Sequence, residues 1–230
     1  MRVTKGYIFD YGGTLDTGGC HWGMMLWHAY QHVGVPVGEA QFREAYVHAE
    51  RTLGRTPVIQ PDFTFRQTLE AKVRLQLEYL GLSMAPYLSP LTSHLHAAAL
   101  RHTAHSRDVL QQLPQPKVLV SNFYGNMATV LREFGLDGLF LYVVESALVG
   151  VRKPDPRIFA LGVEALGLEP AEVTVVGDSL EKDIMPAKAA GCQTVWLRGE
   201  QWASTPASTD GADRVIGDLT ELLTITIPKE

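Results

Sequence analysis

The sequence predicts an α/β protein: a Rossmann-like, doubly wound parallel sheet whose first strand is followed by an all-helical insertion. Three observations carry that reading. The short apolar run at 6–10 stops at Asp10 and is followed at once by Gly12 and Gly13, as a buried parallel strand ended by a turn does. From about Thr17 to Pro116, apolar residues recur at spacings of three and four, the period of helices that bury one face. After Pro116, strand and helix signals alternate, which is the pattern of a parallel sheet covered on both faces.

The elements follow in order. A strand at 6–10 opens the chain. Helices are expected at 24–33, 39–53, 65–82, 88–100 and 106–113, punctuated by Gly34, Gly54, Pro57, Pro61, Gly81 and Pro86. Strands follow at 117–121, 141–145, 173–177 and 194–197, with a weaker one at 214–216. Helices at 125–134, 156–166 and 180–190 separate them, and Gly191 is a fitting C-cap for the last. The polar stretch 201–211 reads as a loop. The expected organisation is a core of residues 1–16 and 117–230 with a helical insertion at 17–116.

Composition narrows the function classes. The chain has 230 residues, 46% hydrophobic and 20% charged, which is a globular mix. Its net charge of −5 leaves no basic surplus for a run of phosphates, so nucleic acid is not the expected partner. No apolar run approaches the ~20 residues that span a bilayer, and no membrane partner is expected. Two distant cysteines, Cys20 and Cys192, make neither a disulfide framework nor a metal cluster. A cytoplasmic setting is the expectation, and the sequence says nothing of oligomeric state.

In open parallel sheets, ligands bind beyond the carboxyl ends of the strands. There this sequence places Asp10, Gly12 and Thr14 after the first strand, and Ser121 and Asn122 after the second. Arg152 and Lys153 follow the third, and Asp178 and Asp183 the fourth. Three carboxylates suit a hard divalent cation such as Mg²⁺. A lysine and small donors suit the oxygens of a phosphoryl group.

Four segments in order, FDYGGTL from Phe9, VSN from Val120, RKPDPRIF from Arg152 and VVGDSLEKDI from Val175, resemble the motifs of the haloacid dehalogenase superfamily of hydrolases. The helical insertion resembles that superfamily's C1 cap. The resemblance implies that Asp10 is the nucleophile, forming an aspartyl-phosphate. It implies that Asp10, the Gly12 carbonyl, Asp178 and Asp183 hold Mg²⁺, Asp183 directly or through water. Ser121, Asn122, Lys153 and Thr14 would bind the substrate phosphate, with Lys153 also catalytic and Thr14 shaping the loop after Asp10. The implied substrate is a phosphorylated small molecule.

One position departs from the pattern. The usual motif is Asp-x-Asp-Gly-Thr, and here the second Asp is Gly12. In the superfamily that residue protonates the leaving oxygen and then activates water. Such help is worth roughly 10²–10⁴ in rate, or about 3–5 kcal/mol of barrier. Three accounts stay open: a substrate with a good leaving group or its own acid, a substitute such as Asp16 or His21, or a protein that binds a phosphorylated ligand or partner without turnover. A phosphonatase-like C–P hydrolase is a further alternative. It would need a Schiff-base lysine, and Lys72 is the insertion's one lysine.

All eight histidines fall in the insertion, and His28 and His32 share a helical spacing. They read as solvated or half-buried positions, with His21 the one expected near substrate. Trp22 and Trp27 read as packing residues, and Arg152 as a solvated neighbour of Lys153.

Overall fold

The computed structural model describes residues 3–202 and 211–225. Its elements run β1 (Gly6–Phe9), α1 (Trp22–Val33), α2 (Glu39–Arg55), α3 (Phe65–Tyr79), α4 (Leu88–Gln112), β2 (Lys117–Ser121), α5 (Met127–Glu133), β3 (Tyr142–Glu145), α6 (Ser146–Val149), α7 (Arg157–Leu166), β4 (Val173–Gly177), α8 (Met185–Ala189), β5 (Gln193–Leu197), β6 (Arg214–Ile216) and α9 (Glu221–Ile225). The strands form one sheet in the order β3-β2-β1-β4-β5-β6, and every pairing is parallel. This is the predicted α/β architecture.

Side chains alternate across β1, as the two-residue period of a strand requires. Ile8 faces one side and packs with Val118, Val120, Val144, Ile158 and Phe159. Tyr7 and Phe9 face the other and join a cluster that runs on into Leu26, Phe42, Leu69, Leu77 and Leu91 of the insertion helices. Burying such side chains contributes about 1.5–3 kcal/mol each, which ties β1 to both layers. The polar loop expected at 201–211 lies mostly outside the described residues.

Two elements differ from their sequence reading. The helices expected at 88–100 and 106–113 are one helix, α4. The apolar period lapses between them because Thr103 and Ser106 occupy its buried face. Their hydroxyls are satisfied there: Thr103 donates to the Ala99 carbonyl at 2.7 Å, and Ser106 to the Leu15 carbonyl at 2.7 Å. The helix expected at 180–190 begins instead as a π-helical turn, Leu180–Ile184, before α8. Met185 donates its N–H five residues back to Leu180, and Pro186 has no N–H to extend an α-helical ladder through this turn.

Candidate active site

Register sets the site. Phe9 pairs with Leu119 on one side and with Val176 on the other. The chain therefore leaves β1, β2 and β4 at one level, with Asp10, Ser121 and Asp178 side by side. Between β1 and β4 the order of connection reverses, and such a crevice is where open α/β sheets bind ligands.

Lys153 is the hinge of the arrangement. Its ammonium donates to Asp10 Oδ1 at 2.5 Å and to Asp183 Oδ1 at 2.7 Å, with only 2% of its side chain exposed. Asn122 fixes it from behind. The Asn122 Oδ1 accepts the Lys153 N–H at 2.9 Å, and its Nδ2 donates to the Lys153 carbonyl at 3.1 Å. The side chain of Asn122 is thus spent on Lys153. Ser121 lines the same cavity, and its hydroxyl has no hydrogen-bond partner among the described residues.

Thr14 lies beneath the carboxylates and not on the cavity wall. Its hydroxyl lies 3.1 Å from Asp10 Oδ2 and 3.2 Å from Asp178 Oδ1, and it accepts the Asp178 N–H at 3.0 Å. Gly13 makes this closeness possible. Its φ is +99°, and a Cβ there would come within 2.5 Å of the Asp178 carboxylate. The π-helical turn does the same for Asp183, whose Oδ2 accepts the Ser179 N–H at 3.0 Å.

Asp10, Asp178 and Asp183 offer oxygens all within 4.8 Å of one another, and all three are buried. One lysine answers three carboxylates. Burial raises Asp10 to about 6, against the pull of Lys153. Burial, then Asp183 and Asp10, push Asp178 well above the carboxylate range. A donor set made wholly of oxygen, three carboxyl groups beside one lysine, fits a hard divalent cation. Gly12 lines the same cavity, and its carbonyl accepts no backbone hydrogen bond among the described residues.

Gly12 is not held as glycine by its surroundings. Its φ lies outside the left-handed range, and a Cβ would meet only Trp22, at 3.8 and 3.9 Å. Asp16 lines the same cavity. It is fully buried, its Oδ1 accepts the Gly13 N–H at 2.8 Å, and its Oδ2 accepts the Trp22 Nε1–H at 2.9 Å. Each oxygen thus accepts one N–H and keeps a lone pair, and burial raises the group to about 7.

His21 caps α1 and lines the cavity. Its Nδ1 accepts the Gly23 N–H at 3.0 Å, which leaves the neutral ring its proton on Nε2. Burial, and then Lys182, lower it to about 4. Trp22 proves to be a wall of the cavity, whereas Trp27 packs on Phe42 as expected. His28 pairs with Glu200, and His32 instead lies against His94. The exposed Arg152 stands at the cavity mouth.

The cavity has a volume of about 510 Å³, and the insertion forms its far wall. There Lys72 Nζ lies 2.6 Å from Glu50 Oε1, and the Tyr124 hydroxyl donates to Glu50 Oε2 at 3.2 Å. The sequence reading had singled out Lys72 but neither Glu50 nor Tyr124. No local signal marks them, since one sits mid-helix on α2 and the other in the loop after β2.

The model of the haloacid dehalogenase-like hydrolases matches residues 4–191, an interval that holds all four motifs and the whole carboxylate cluster. The chain belongs to that family. Within the haloacid dehalogenase-like hydrolases, it is 38% identical over 91 residues to the glyceraldehyde 3-phosphate phosphatase of Pyrococcus furiosus, covering 39% of this chain and 38% of that one. It is 40% identical over 89 residues to the phosphoserine phosphatase of Thermus thermophilus, covering 38% of this chain and 34% of that one. The matches thus span between a third and two fifths of each relative's length. A solved dehalogenase with an intermediate complex shares the fold at a TM-score of 0.66 and 18% identity, over 100% of both chains. Among the described residues, no helix is long and apolar enough to cross a membrane.

Proposed function

We propose that the protein is a Mg²⁺-dependent phosphatase of phosphorylated small molecules, working through an aspartyl-phosphate on Asp10. The observation that carries this is Lys153, held between Asp10 and Asp183 beside a third carboxylate at the sheet's switch point. Asp10, Asp178, Asp183 and the Gly12 carbonyl would hold the cation, which when bound supplies positive charge to the phosphoryl oxygens.

The chain's own residues do the rest. The Asp10 oxygen not paired with Lys153 attacks phosphorus. A P–O bond forms, the bond to the leaving oxygen breaks, and its electron pair departs with that oxygen. Lys153 answers charge on Asp10 and on the phosphoryl group, and the unpartnered Ser121 hydroxyl donates to a phosphoryl oxygen. Water then cleaves the aspartyl-phosphate and regenerates Asp10. The helical insertion, read as a cap over residues 17–116, encloses the site and carries the substrate wall.

The leaving oxygen gets no proton from residue 12, and the candidate substitutes on the cavity wall are Asp16, which burial raises to about 7, and His21. Turnover therefore rests on the leaving group itself, on Asp16 or on the His21 Nε2–H. The phosphonatase alternative loses support, because Lys72 is an ion-paired ammonium and a Schiff base needs a free amine. The free cysteines fit the cytoplasmic reading.

The test is phosphate release with and without Mg²⁺, over acetyl phosphate, p-nitrophenyl phosphate and alkyl phosphates, with Asp10→Asn as the blank. Mg²⁺-dependent release that vanishes in Asp10→Asn supports the reading. Release that persists in Asp10→Asn, or none with any substrate, refutes it. In the second case, Mg²⁺-dependent binding without product would favour the non-catalytic alternative.

A further inference from the structure

We propose that Glu50 and Lys72, with Tyr124, select the leaving-group half of the substrate, and that this half is a polyol: the substrates are phosphate monoesters of sugars or polyhydric alcohols. The proposal deepens the phosphatase reading and rests on it for the word substrate.

The argument begins with the chemistry of the far wall. Glu50 comes from α2, Lys72 from α3 and Tyr124 from the loop after β2, so three separate elements converge on one polar cluster. Lys72 is only 8% exposed, and Glu50 is its one ion-pair partner among the described residues. Its ammonium also lies 5.7 Å from the centre of the Tyr124 ring. Burial would lower Lys72, but Glu50 outweighs it and holds the ammonium charged. Burial would likewise raise Glu50, but Lys72 and the Tyr124 hydroxyl hold it ionised.

A pair of that kind carries no net charge, yet it presents both a donor and an acceptor to the cavity. An ammonium has three N–H donors, and a carboxylate has about four acceptor sites. The group that satisfies both at once is a hydroxyl, which accepts from Lys72 and donates to Glu50. A carboxylate in the same place is repelled by Glu50, and an ammonium by Lys72. The surrounding walls are Trp22, Tyr46 and Phe65, apolar faces that suit the C–H surface of a carbon chain or ring. Among the described residues, the cavity's cations without an ion-pair partner, Arg55, Arg152 and Lys182, are all exposed. Solvent screens them, so they attract an anionic phosphate without sorting its leaving group.

The test is calorimetric binding to Asp10→Asn in Mg²⁺, where turnover does not intervene. The probes are glucose 6-phosphate and glycerol 1-phosphate, against methyl phosphate, phosphoglycolate and phosphoethanolamine. The polyol phosphates should bind roughly ten- to a hundredfold tighter than the other three, the range of a hydrogen bond to a charged group. Adding Glu50→Gln should erase that preference, and Lys72→Met should do the same wherever circular dichroism shows it folded. Equal affinities, no binding of polyol phosphates, tighter binding of the carboxylate or the amine, or a preference that survives Glu50→Gln would each overturn the proposal. Phosphate release by the wild-type protein is scored separately. Silence there with an intact polyol preference removes hydrolysis and keeps the selectivity.

Discussion

The indole of Trp22 lies against Gly12, so that a Cβ at residue 12 would touch Cδ1 at 3.8 Å and Nε1 at 3.9 Å. The backbone there takes an L side chain without strain, and the neighbour is a flat ring at ordinary contact distance. Gly12→Asp should therefore fold normally. It should raise p-nitrophenyl phosphate hydrolysis by about 10²-fold or more, the scale of restored acid–base help. An unchanged rate in a folded variant would mean that more than the carboxylate is missing.

Three buried carboxyl groups crowd one lysine, and burial keeps Asp178 protonated until a cation takes the proton's place. Mg²⁺ should raise the thermal midpoint of the wild-type protein, by about 2.7 kcal/mol of stability at a hundred times the dissociation constant. Asp178→Asn should leave the metal-free midpoint close to the wild-type value, because burial, Asp183 and Asp10 already keep that carboxyl protonated without metal, and should abolish the Mg²⁺ effect. Differential scanning fluorimetry in EDTA and in Mg²⁺ reads both. A metal-free midpoint that rises clearly would show that Asp178 carries its charge even without metal.

His21 is neutral in the fold, lowered to about 4 by burial and then by Lys182. The sign follows from proton counting. Between pH 4 and 6.5 the unfolded chain binds a proton at this residue that the folded chain refuses. His21 therefore stabilises the fold fully above its unfolded pKa, and that stabilisation is lost as pH falls through the window. The loss by pH 4.5 is about 2 kcal/mol. Asn at this position keeps an N-cap acceptor for Gly23. In His21→Asn, the urea midpoint should change less between pH 7 and 4.5 than in the wild type. An identical pH response would show that His21 titrates normally.

Trp202, in the loop after β5, is laid over the insertion. Its ring sits 4.9 Å from Tyr46 and 5.7 Å from His21, Arg43 lies over its face at 4.1 Å, and its carbonyl accepts from Arg43 at 2.9 Å. Gly23 leaves the room, since a Cβ there would fall 2.2 Å from Trp202 Cε3. Gly23→Ala should displace the indole and cost about 1–3 kcal/mol, the usual scale of overpacking. Denaturant titration and the change in tryptophan emission check it. A stability loss without an emission change would place the strain elsewhere.

The sequence by itself determined the layered α/β fold, the run of helices between β1 and β2 and, to within a residue, the ends of the strands. Periodicity and turn residues act over a few positions, and each of those signals is complete within its own segment. It also brought Asp10, Lys153, Asp178 and Asp183 to one sheet edge, because strand ends in a parallel sheet share a level. What each polar side chain does there was decided only in three dimensions. Asn122 is turned to the Lys153 backbone, Thr14 lies under the carboxylates, and Asp16 accepts from Gly13 and Trp22. None of these partners is fixed by sequence spacing, since a buried donor or acceptor bonds to whatever the folded chain brings within about 3 Å. The same holds for α4, where hydroxyls on the buried face hid a continuous helix until their carbonyl partners were known. It holds most for Glu50, Lys72 and Tyr124, which meet across the cavity from α2, α3 and the loop after β2. Packing of the insertion helices against the sheet brings them together, and no local pattern records that packing.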